Sequence, residues 1–537
     1  MLRLLPRTLQ QNPRLRRLVL PSVAIALASI LCAVVIHFAS SVEGSVSDRA
    51  MRLAGMGDFE AADRLFVEAL SAKADFETLI AFIDNRAAIV QLGEASRLAA
   101  PQEAPRVSGG DELVERYLSS PGMSEAEARM ARYWFEVRLR DPGTDSRPVV
   151  VLADLTPPER HANQLLARAA MLNDDLGEAA RRYEREGLAF PREAEGDLER
   201  ALALWKELGA WDEIRARIDD PRFRSVVGPR LRVTVAEHDR DWPLLLLWIW
   251  PASFEGIGAW PVALAALSAV LWFLIVATLG RMSEPERGRR LLYVAAFALG
   301  VLSVYPTLLV ITAEESIWSL RQVGEIIPDA IYFVFGVGLR EEACKLLLFL
   351  PLLPLLRRRG SRLEALTCGA LVGLGFAAEE NVLYFQSFDV SVALTRFLTA
   401  NLLHVSLTAL AALAVYDASR AWNRSTEILN ATLPMVVLLH GGYDFLLSSP
   451  QLGELSFLSM TLFVLIAQRF LREFTNLSTA LEQERVLRLF VVAISLITGA
   501  SYIYATTLVG PLLGFAYVAT GLLGVAIFVY MFVRELA

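Results

Sequence analysis

Hydrophobic and polar positions divide the chain into three parts. A basic start, "MLRLLPRTLQQNPRLRR", precedes an apolar run from Leu18 to Ala39. This run is long enough to cross a bilayer, which takes about 20 helical residues. Because it lacks a convincing small-residue cleavage pattern, we expect an uncleaved anchor and not a signal peptide. Residues 1–41 are therefore predicted to form a cytoplasmic N-terminus and a membrane anchor.

Residues 42–241 are polar and show helical periodicity interrupted by prolines. Three stretches share one pattern, in which a small residue precedes an aromatic one by a helical turn. They are "GDFEAADRLF" with Gly57, Ala62 and Phe66, "DDLGEAARRY" with Asp174, Ala179 and Tyr183, and "GDLERALALW" with Gly196, Ala201 and Trp205. The pattern resembles degenerate tetratricopeptide-type helical hairpins at irregular intervals. The alternative is an ordinary helical domain whose amphipathic repeats arise by chance.

Apolar runs dominate the remainder of the chain, residues 242–537. By the criterion of about 20 apolar residues, nine further spans are predicted. They cover roughly 258–280, 291–313, 329–356, 363–385, 394–415, 428–448, 455–470, 486–507 and 510–533. The run "WPLLLLWIWP" is too short to cross and is predicted to be interfacial or re-entrant. The predicted fold class is all-α, a polytopic membrane bundle of about ten spans joined to a soluble helical domain.

The charge of the loops indicates an orientation. Arginine is concentrated in alternate loops such as "GRMSEPERGRR" and "RRRGSR", whereas "QSFDVS" and "SSPQLGELS" are nearly free of Lys and Arg. Cytoplasmic loops carry the excess of positive charge, so residues 42–241 are expected outside the cytoplasm. We expect membrane lipid around the spans and a protein partner for the soluble domain. A net charge of −7 without a basic face argues against nucleic acid.

Charged residues inside the predicted spans are the strongest functional signal. On insertion scales, a charge at the centre of the membrane costs about 2.5–3.5 kcal/mol. Four constellations stand out. They are Glu341, Glu342 and Lys345 in "REEACK", Glu379, Glu380 and Asn381 in "FAAEEN", His404 in "ANLLHVSL", and His440 with Asp444 in "HGGYD".

Helical geometry brings these groups to similar depths. By a rise of 1.5 Å per residue, Glu341 and His404 lie about 15 Å from their outer helix ends, His440 about 12 Å and Glu380 about 8 Å. All of them can therefore meet in the outer half of the bilayer. Glycines of the span that carries Glu380 would allow close approach to its neighbours. These glycines are Gly369, Gly373 and Gly375.

Each constellation alone also has a structural explanation: an ion pair, a snorkelling glutamate or a hydrogen-bonded buried histidine. Together they predict a hydrolytic site without a serine or cysteine nucleophile. A carboxylate can activate water, while imidazoles stabilise an oxyanion, donate a proton or bind a metal. The spans contain no GxSxG motif that would indicate a serine hydrolase.

The four motifs resemble those of the PrsW family of bacterial intramembrane proteases, related to the CAAX prenyl-endopeptidases. The resemblance covers Gly336–Phe445. It implies that Glu341 or Glu342 activates water and that His404 and His440 polarise the scissile carbonyl or hold a metal. Glu380 and Asp444 would position them, and Lys345 and Asn381 complete the motifs. It also implies membrane-protein substrates, such as anti-sigma factors, and a location in the bacterial inner membrane.

Whether a metal takes part stays open from the sequence. His404, His440 and a carboxylate such as Glu380 would supply three ligands for one zinc ion, with a fourth position open. Against this, Lys345 lies one turn from Glu341, where its positive charge would repel a cation but stabilise a carboxylate base. A glutamate-based mechanism is therefore the preferred expectation.

Two alternatives belong to other functional classes. A proton-coupled transporter also places Glu, His and Asp at the centre of the membrane. It would predict internal repeats among the spans, and none is evident in the sequence. A non-catalytic scaffold or receptor would use the soluble domain for binding, with the buried charges purely structural.

Overall fold

The structure, a computed structural model, describes residues 13–42, 45–55, 58–99, 110–118, 122–141, 143–193, 195–281, 288–387 and 391–536. Helices make up nearly all of these residues and no strand occurs among them. The prediction of an all-α protein is confirmed. The chain divides into two compact units, one of residues 40–235 and one of residues 1–39 together with 236–537.

The unit of residues 40–235 is built of short helices. They are α2 (Val46–Gly55), α3 (Phe59–Ala72), α4 (Phe76–Ala99), α5 (Gly110–Leu118), α6 (Glu125–Leu139), α7 (Arg147–Ala153), α8 (Ala162–Leu172), α9 (Leu176–Ala189), α10 (Glu195–Glu207) and α11 (Trp211–Ile218), with α12 (Pro229–Asp239) crossing its boundary. Aspartate N-caps stabilise the first turns of two of these helices. The Asp58 and Asp175 side chains accept hydrogen bonds from backbone N–H groups of α3 and α9, respectively.

The small-and-aromatic pattern lies on three of these helices. Ala62 and Phe66 of α3 are buried, as are Ala179 and Tyr183 of α9 and Ala201 and Trp205 of α10. Gly57 lies outside the described residues. The small residues occupy helix contacts, since α9 packs against both α8 and α10. A tetratricopeptide assignment stays a proposal.

The membrane unit combines long helices with several short ones. They are α1 (Pro13–Val42), α13 (Trp242–Ser253), α14 (Ala259–Leu279), α15 (Arg289–Leu302), α16 (Val304–Trp318), α17 (Ile326–Ile331), α18 (Arg340–Phe349), α19 (Leu353–Arg359), α20 (Arg362–Ser387), α21 (Ser391–Leu398), α22 (Ala400–Arg420), α23 (Trp422–Ser448), α24 (Phe457–Leu477), α25 (Ala480–Val509) and α26 (Pro511–Leu536). A π-helical segment, Tyr332–Leu339, joins α17 to α18.

Eight helical segments of the described residues are long and apolar enough to cross a membrane, so the protein is a multi-pass membrane protein. Two predicted spans are helical but fall outside these eight. The run 329–356 changes helix type at Tyr332, at Arg340 and again at Leu350. Most of the run 455–470 lies in α24, whose second half carries Arg469, Arg472 and Glu473. The apolar stretch from Trp242 forms the short helix α13, as predicted.

Glycines set the spacing of α20 from its neighbours. A Cβ at Gly373 would lie 2.3 Å from the carbonyl oxygen of His404, and one at Gly375 would lie 2.2 Å from that of Phe297. A Cβ at Gly369 would come equally close to α22. The predicted role of these glycines in close helix approach is confirmed.

A second glycine crossing joins the π-helical segment to α23. A Cβ at Gly338 would lie 2.5 Å from the carbonyl oxygen of Val437, and one at Gly441 would lie 2.4 Å from that of Phe333. Only backbones without side chains can approach so closely. The crossing places the start of α18 beside the middle of α23, and thereby brings two of the four motifs together.

Candidate active site

Glu341 and Glu342 lie in the first turn of α18, directly after the π-helical segment. Adjacent residues of a helix point about 100° apart. Glu341 lines a cavity of about 630 Å³, whereas Glu342 is 1% exposed and does not line it. The structure therefore gives the two neighbouring carboxylates different surroundings.

Glu342 is held by three donors. Its Oε1 lies 2.9 Å from both Lys345 Nζ and His440 Nδ1, and its Oε2 accepts a hydrogen bond of 3.0 Å from the Thr408 hydroxyl. A carboxylate with this many hydrogen-bond partners is fixed in place, and both of its oxygens already accept hydrogen bonds from the protein. Glu342 therefore orients the histidine of α23.

Lys345 is fully buried and joins three motifs. Its Nζ donates to Glu341 Oε2 at 3.2 Å, to Glu342 and to His404 Nδ1 at 2.8 Å. It also lies 4.0 Å from the ring centroid of Phe376, where a cation is attracted to the aromatic face. The predicted i,i+4 contact between Glu341 and Lys345 is present.

The contact with Lys345 fixes the tautomer of His404. An ammonium group only donates hydrogen bonds, so Nδ1 of His404 accepts and its proton resides on Nε2. That nitrogen lies 3.0 Å from Glu380 Oε2 and donates to it. Both ring nitrogens of His404 are thus bound within the protein.

His440 keeps one nitrogen directed at the cavity. Its Nδ1 is bound to Glu342, while Nε2 lies 3.6 Å from Glu341 Oε2 and 3.5 Å from Asp444 Oδ2. These separations exceed a hydrogen bond, and such contacts tighten when a substrate enters. The His404 and His440 rings are 5.1 Å apart at their centroids and meet edge to face.

Sequence reasoning missed Arg396 of α21. Its Nη2 donates to Glu380 Oε2 at 2.6 Å and its Nε to Asn381 Oδ1 at 2.7 Å, and its guanidinium stacks 3.6 Å from the ring centroid of Tyr384. Asn381 in turn donates to Asn401 at 2.9 Å. The one available signal was that Arg396 is the single Lys, Arg, Asp or Glu in the predicted span 394–415.

The structure brings most of the predicted site residues to one cavity. Its lining includes Glu341, Glu380, His404, His440 and Asp444, with Glu342 and Lys345 directly behind. The lining also includes aromatic and cationic side chains that were not predicted. These are Tyr332, Tyr384, Tyr443, Arg340 and Arg396.

The contacts bear on whether the cluster holds zinc. Glu341, His404 and His440 each offer a ligand atom, and these atoms lie within 4.8 Å of one another. The donor set therefore has the number and proximity of a three-ligand site. Its hydrogen bonding does not fit, because Lys345 and Glu380 occupy both nitrogens of His404.

Comparison with known proteins identifies relatives of the membrane unit. Residues 288–468 match the family described as PrsW family intramembrane metalloprotease. The chain is also 30% identical over 171 residues to Protease PrsW of Shouchella clausii (strain KSM-K16), a match that covers 30% of this chain and 74% of that protein. No solved structure matches the chain. The matched residues 288–468 contain every predicted site residue and exclude the unit of residues 40–235.

Proposed function

This chain belongs to the PrsW family of intramembrane proteases, and from that premise we propose that it cuts membrane proteins with Glu341 as the base that activates water. The proposal rests on the different surroundings of two adjacent glutamates. Glu341 faces the cavity, whereas Glu342 is occupied by three donors. A general base needs an accessible oxygen within hydrogen-bond reach of the water it deprotonates.

In the proposed reaction, water in the cavity gives a proton to Glu341 and its oxygen attacks the scissile carbonyl carbon. The carbonyl oxygen becomes an oxyanion near Nε2 of His440, the nitrogen that lies 3.5 Å or more from the Glu341 and Asp444 carboxylates and makes no closer hydrogen bond to a described residue. When that nitrogen carries a proton, it donates to the oxyanion. The oxyanion then collapses to re-form the carbonyl, the C–N bond breaks, and Glu341 returns its proton to the leaving amine. A base and an oxyanion donor each contribute about 10²-fold or more.

The remaining polar residues hold this pair in position. Glu342 orients the His440 ring through Nδ1, and Lys345 stabilises the negative charge of Glu341. His404 links Lys345 to Glu380, which Arg396 holds from its other side. Because Lys345 and Glu380 occupy both ring nitrogens of His404, we propose a glutamate-based reaction without zinc.

The cavity suits a peptide segment as the substrate. Its volume of about 630 Å³ lies within the range of ligand pockets, about 300–1,000 Å³. Tyrosines 332, 384 and 443 provide apolar walls with polar tips. We propose a membrane-protein substrate, of the anti-sigma-factor kind that the sequence motifs suggest. Residues 40–235 would face outside a bacterial inner membrane and bind a protein partner through tetratricopeptide-like helices.

Substrate trapping tests this proposal. The full chain with Glu341→Gln should retain a membrane protein that co-purifies with it, and added wild-type protein should cut the retained protein. Glu315→Gln is a matched control, since Glu315 is an exposed glutamate outside the cavity. If the E341Q protein itself cuts the retained protein, Glu341 is not the base.

A further inference from the structure

Glu379 is a buried carboxyl group for which the proposed reaction has no use. It precedes Glu380 on α20 and is 5% exposed, but it does not line the active-site cavity. Its Oε1 accepts a hydrogen bond of 2.7 Å from the indole Nε1 of Trp250, and its Oε2 has no hydrogen-bond partner among the residues that the structure describes. The Trp250 indole is therefore the single hydrogen-bond partner that the structure gives this buried carboxyl group.

The short helix α13, which carries Trp250, contacts α20 at a second point through the loop that follows it. The side chain of Gln386 accepts from the backbone N–H of Gly258 at 3.0 Å and donates to the carbonyl oxygen of Gly256 at 3.4 Å. Glu379 and Gln386 are seven residues apart, so they lie on one face of α20 about 10.5 Å from each other. Two successive turns at the end of α20 are held from the same side.

The face held by α13 adjoins the catalytic one. Glu380 points about 100° from Glu379, toward His404 and Arg396. A small rotation of this end of α20 would therefore move the Glu380 carboxylate away from His404 Nε2. The contacts of α13 therefore act on the same end of α20 that carries Glu380.

Helix α13 is itself attached to a neighbour and exposes an apolar side. The Trp250 ring packs 6.2 Å from that of Tyr305 at the centroids, and the Tyr305 hydroxyl donates to the carbonyl oxygen of Leu246. Trp242 and Leu247 are exposed. With 12 residues the helix spans about 18 Å, too little to cross a bilayer. In sequence it follows α12 directly, where the unit of residues 40–235 ends.

We propose that Trp250 and Glu379 are positioning residues that couple α13 to the active site by holding Glu380 against His404. The inference rests on the proposed function and adds that the position of α13 controls the activity. A displacement of α13, by lipid at its apolar side or through the preceding helix, would loosen Glu380. The bond matters because Glu379 has no second partner: without the indole, its buried carboxyl group must move to find one.

The test compares four forms of the purified full chain in detergent: wild type, Trp250→Phe, Trp250→Phe with Glu379→Leu, and Trp242→Phe as the control on the same helix. The first readout is carbethoxylation of individual histidines by diethyl pyrocarbonate, followed by mass spectrometry. The chain has five histidines, so each site can be resolved. In the wild type, Lys345 and Glu380 occupy His404. The second readout is cleavage of fluorescently labelled β-casein, an unfolded substrate.

We expect W250F to raise the carbethoxylation rate of His404 at least about threefold and to leave His440 unchanged, because a His404 ring released by Glu380 can exchange tautomers and present an unprotonated nitrogen to the reagent. Its kcat for casein should fall at least about fivefold with KM within about twofold, because loss of the Glu380–His404 contact loosens Lys345 and with it the catalytic Glu341. Leucine at position 379 replaces the unpaired carboxyl group with an apolar side chain that can pack on the new phenylalanine, which restores a contact between α13 and α20, so the double variant should return toward wild type. W242F should match wild type throughout.

Two results would overturn the coupling: unchanged His404 reactivity and kcat in W250F, or a double variant as impaired as W250F. The second result would assign the effect to loss of indole bulk. Failure of the wild-type protein to cleave casein would test the proposed hydrolysis and not the coupling. If wild-type protein cuts no casein while the His404 labelling follows the expected pattern, the proposed hydrolysis fails and the coupling of α13 to Glu380 stands.

Discussion

Lys345 donates a hydrogen bond of 2.8 Å to Nδ1 of His404, across two helices and from a fully buried position. The same ammonium group binds the carboxylates of Glu341 and Glu342. Through His404 it is linked to Glu380, and through Glu342 to His440. All four sequence motifs are therefore within two hydrogen bonds of one positive charge.

Replacing this lysine should destabilise the protein. Lys345→Met leaves two buried carboxylates without their cation, and breaking a buried ion pair in this way costs about 3–5 kcal/mol. We expect the variant to accumulate poorly in the membrane and to melt at a lower temperature. Lys206→Met, at an exposed lysine of α10, should behave as wild type. A stable and active K345M protein would show that the ammonium does not hold the motifs together.

The hydrogen bonding of His404 leads to a prediction about metal. Because both of its ring nitrogens are occupied, the purified protein should carry far less than one zinc per chain and should keep its activity after chelation. Elemental analysis of detergent-purified protein, with activity measured before and after chelator, provides the measurement. About one zinc per chain, lost and regained together with activity, would be the mark of a three-ligand catalytic site and would refute this prediction.

The orientation of the chain can be measured with reporter fusions. The arginine-rich loop at residues 357–362 should face the cytoplasm, and residues 40–235 should face the other side. A periplasm-active reporter fused near Gly196 should be active, and one fused near Gly360 should be inactive. The reverse pattern would place the active-site cavity nearer the cytoplasmic surface.

Much of the candidate site could be predicted from sequence because charged and polar side chains are energetically costly inside apolar membrane spans. Charges in apolar runs are few, so Glu341, Lys345, His404 and His440 stood out individually, and helical periodicity gave their faces. Glycine spacing likewise indicated that α20 packs closely on its neighbours, as the structure confirms.

The contacts between helices could not be predicted in this way. Sequence spacing says which face a residue occupies along its own helix, and says nothing of the rotation of one helix against another. Which of Glu341 and Glu342 faces the cavity depends on the π-helical segment before them and its glycine crossing with α23. Arg396 binds Glu380 and Thr408 binds Glu342, each from a separate helix, and neither residue belongs to one of the four motifs.

Stability of the unit of residues 40–235 should depend on pH through His161. Burial lowers the pKa of this imidazole below its usual 6.5, so the folded state favours the neutral ring. Its stabilising contribution is therefore present above pH 6.5 and is lost as the pH falls through the lowered folded pKa. His161 has a positive φ of 70°, which asparagine tolerates.

The test is urea unfolding of the full chain in detergent, followed by circular dichroism between pH 7 and pH 5. The stability advantage of wild type over His161→Asn should shrink as the pH falls. An advantage that stays constant over this range would mean that His161 titrates equally in the folded and unfolded states.

In the proposed reaction Glu341, and not its neighbour Glu342, activates water. The most direct measurement compares casein turnover and melting temperature for Glu341→Gln and Glu342→Gln in the purified full chain. We predict that E341Q loses at least about 10²-fold in kcat and melts within a few degrees of wild type, because it removes the base and leaves the network of Glu342 intact. E342Q should lower both the turnover and the melting temperature, since it disturbs contacts with Lys345, Thr408 and His440. An E341Q protein that retains wild-type turnover, or an E342Q protein that loses turnover with unchanged stability, would contradict the account.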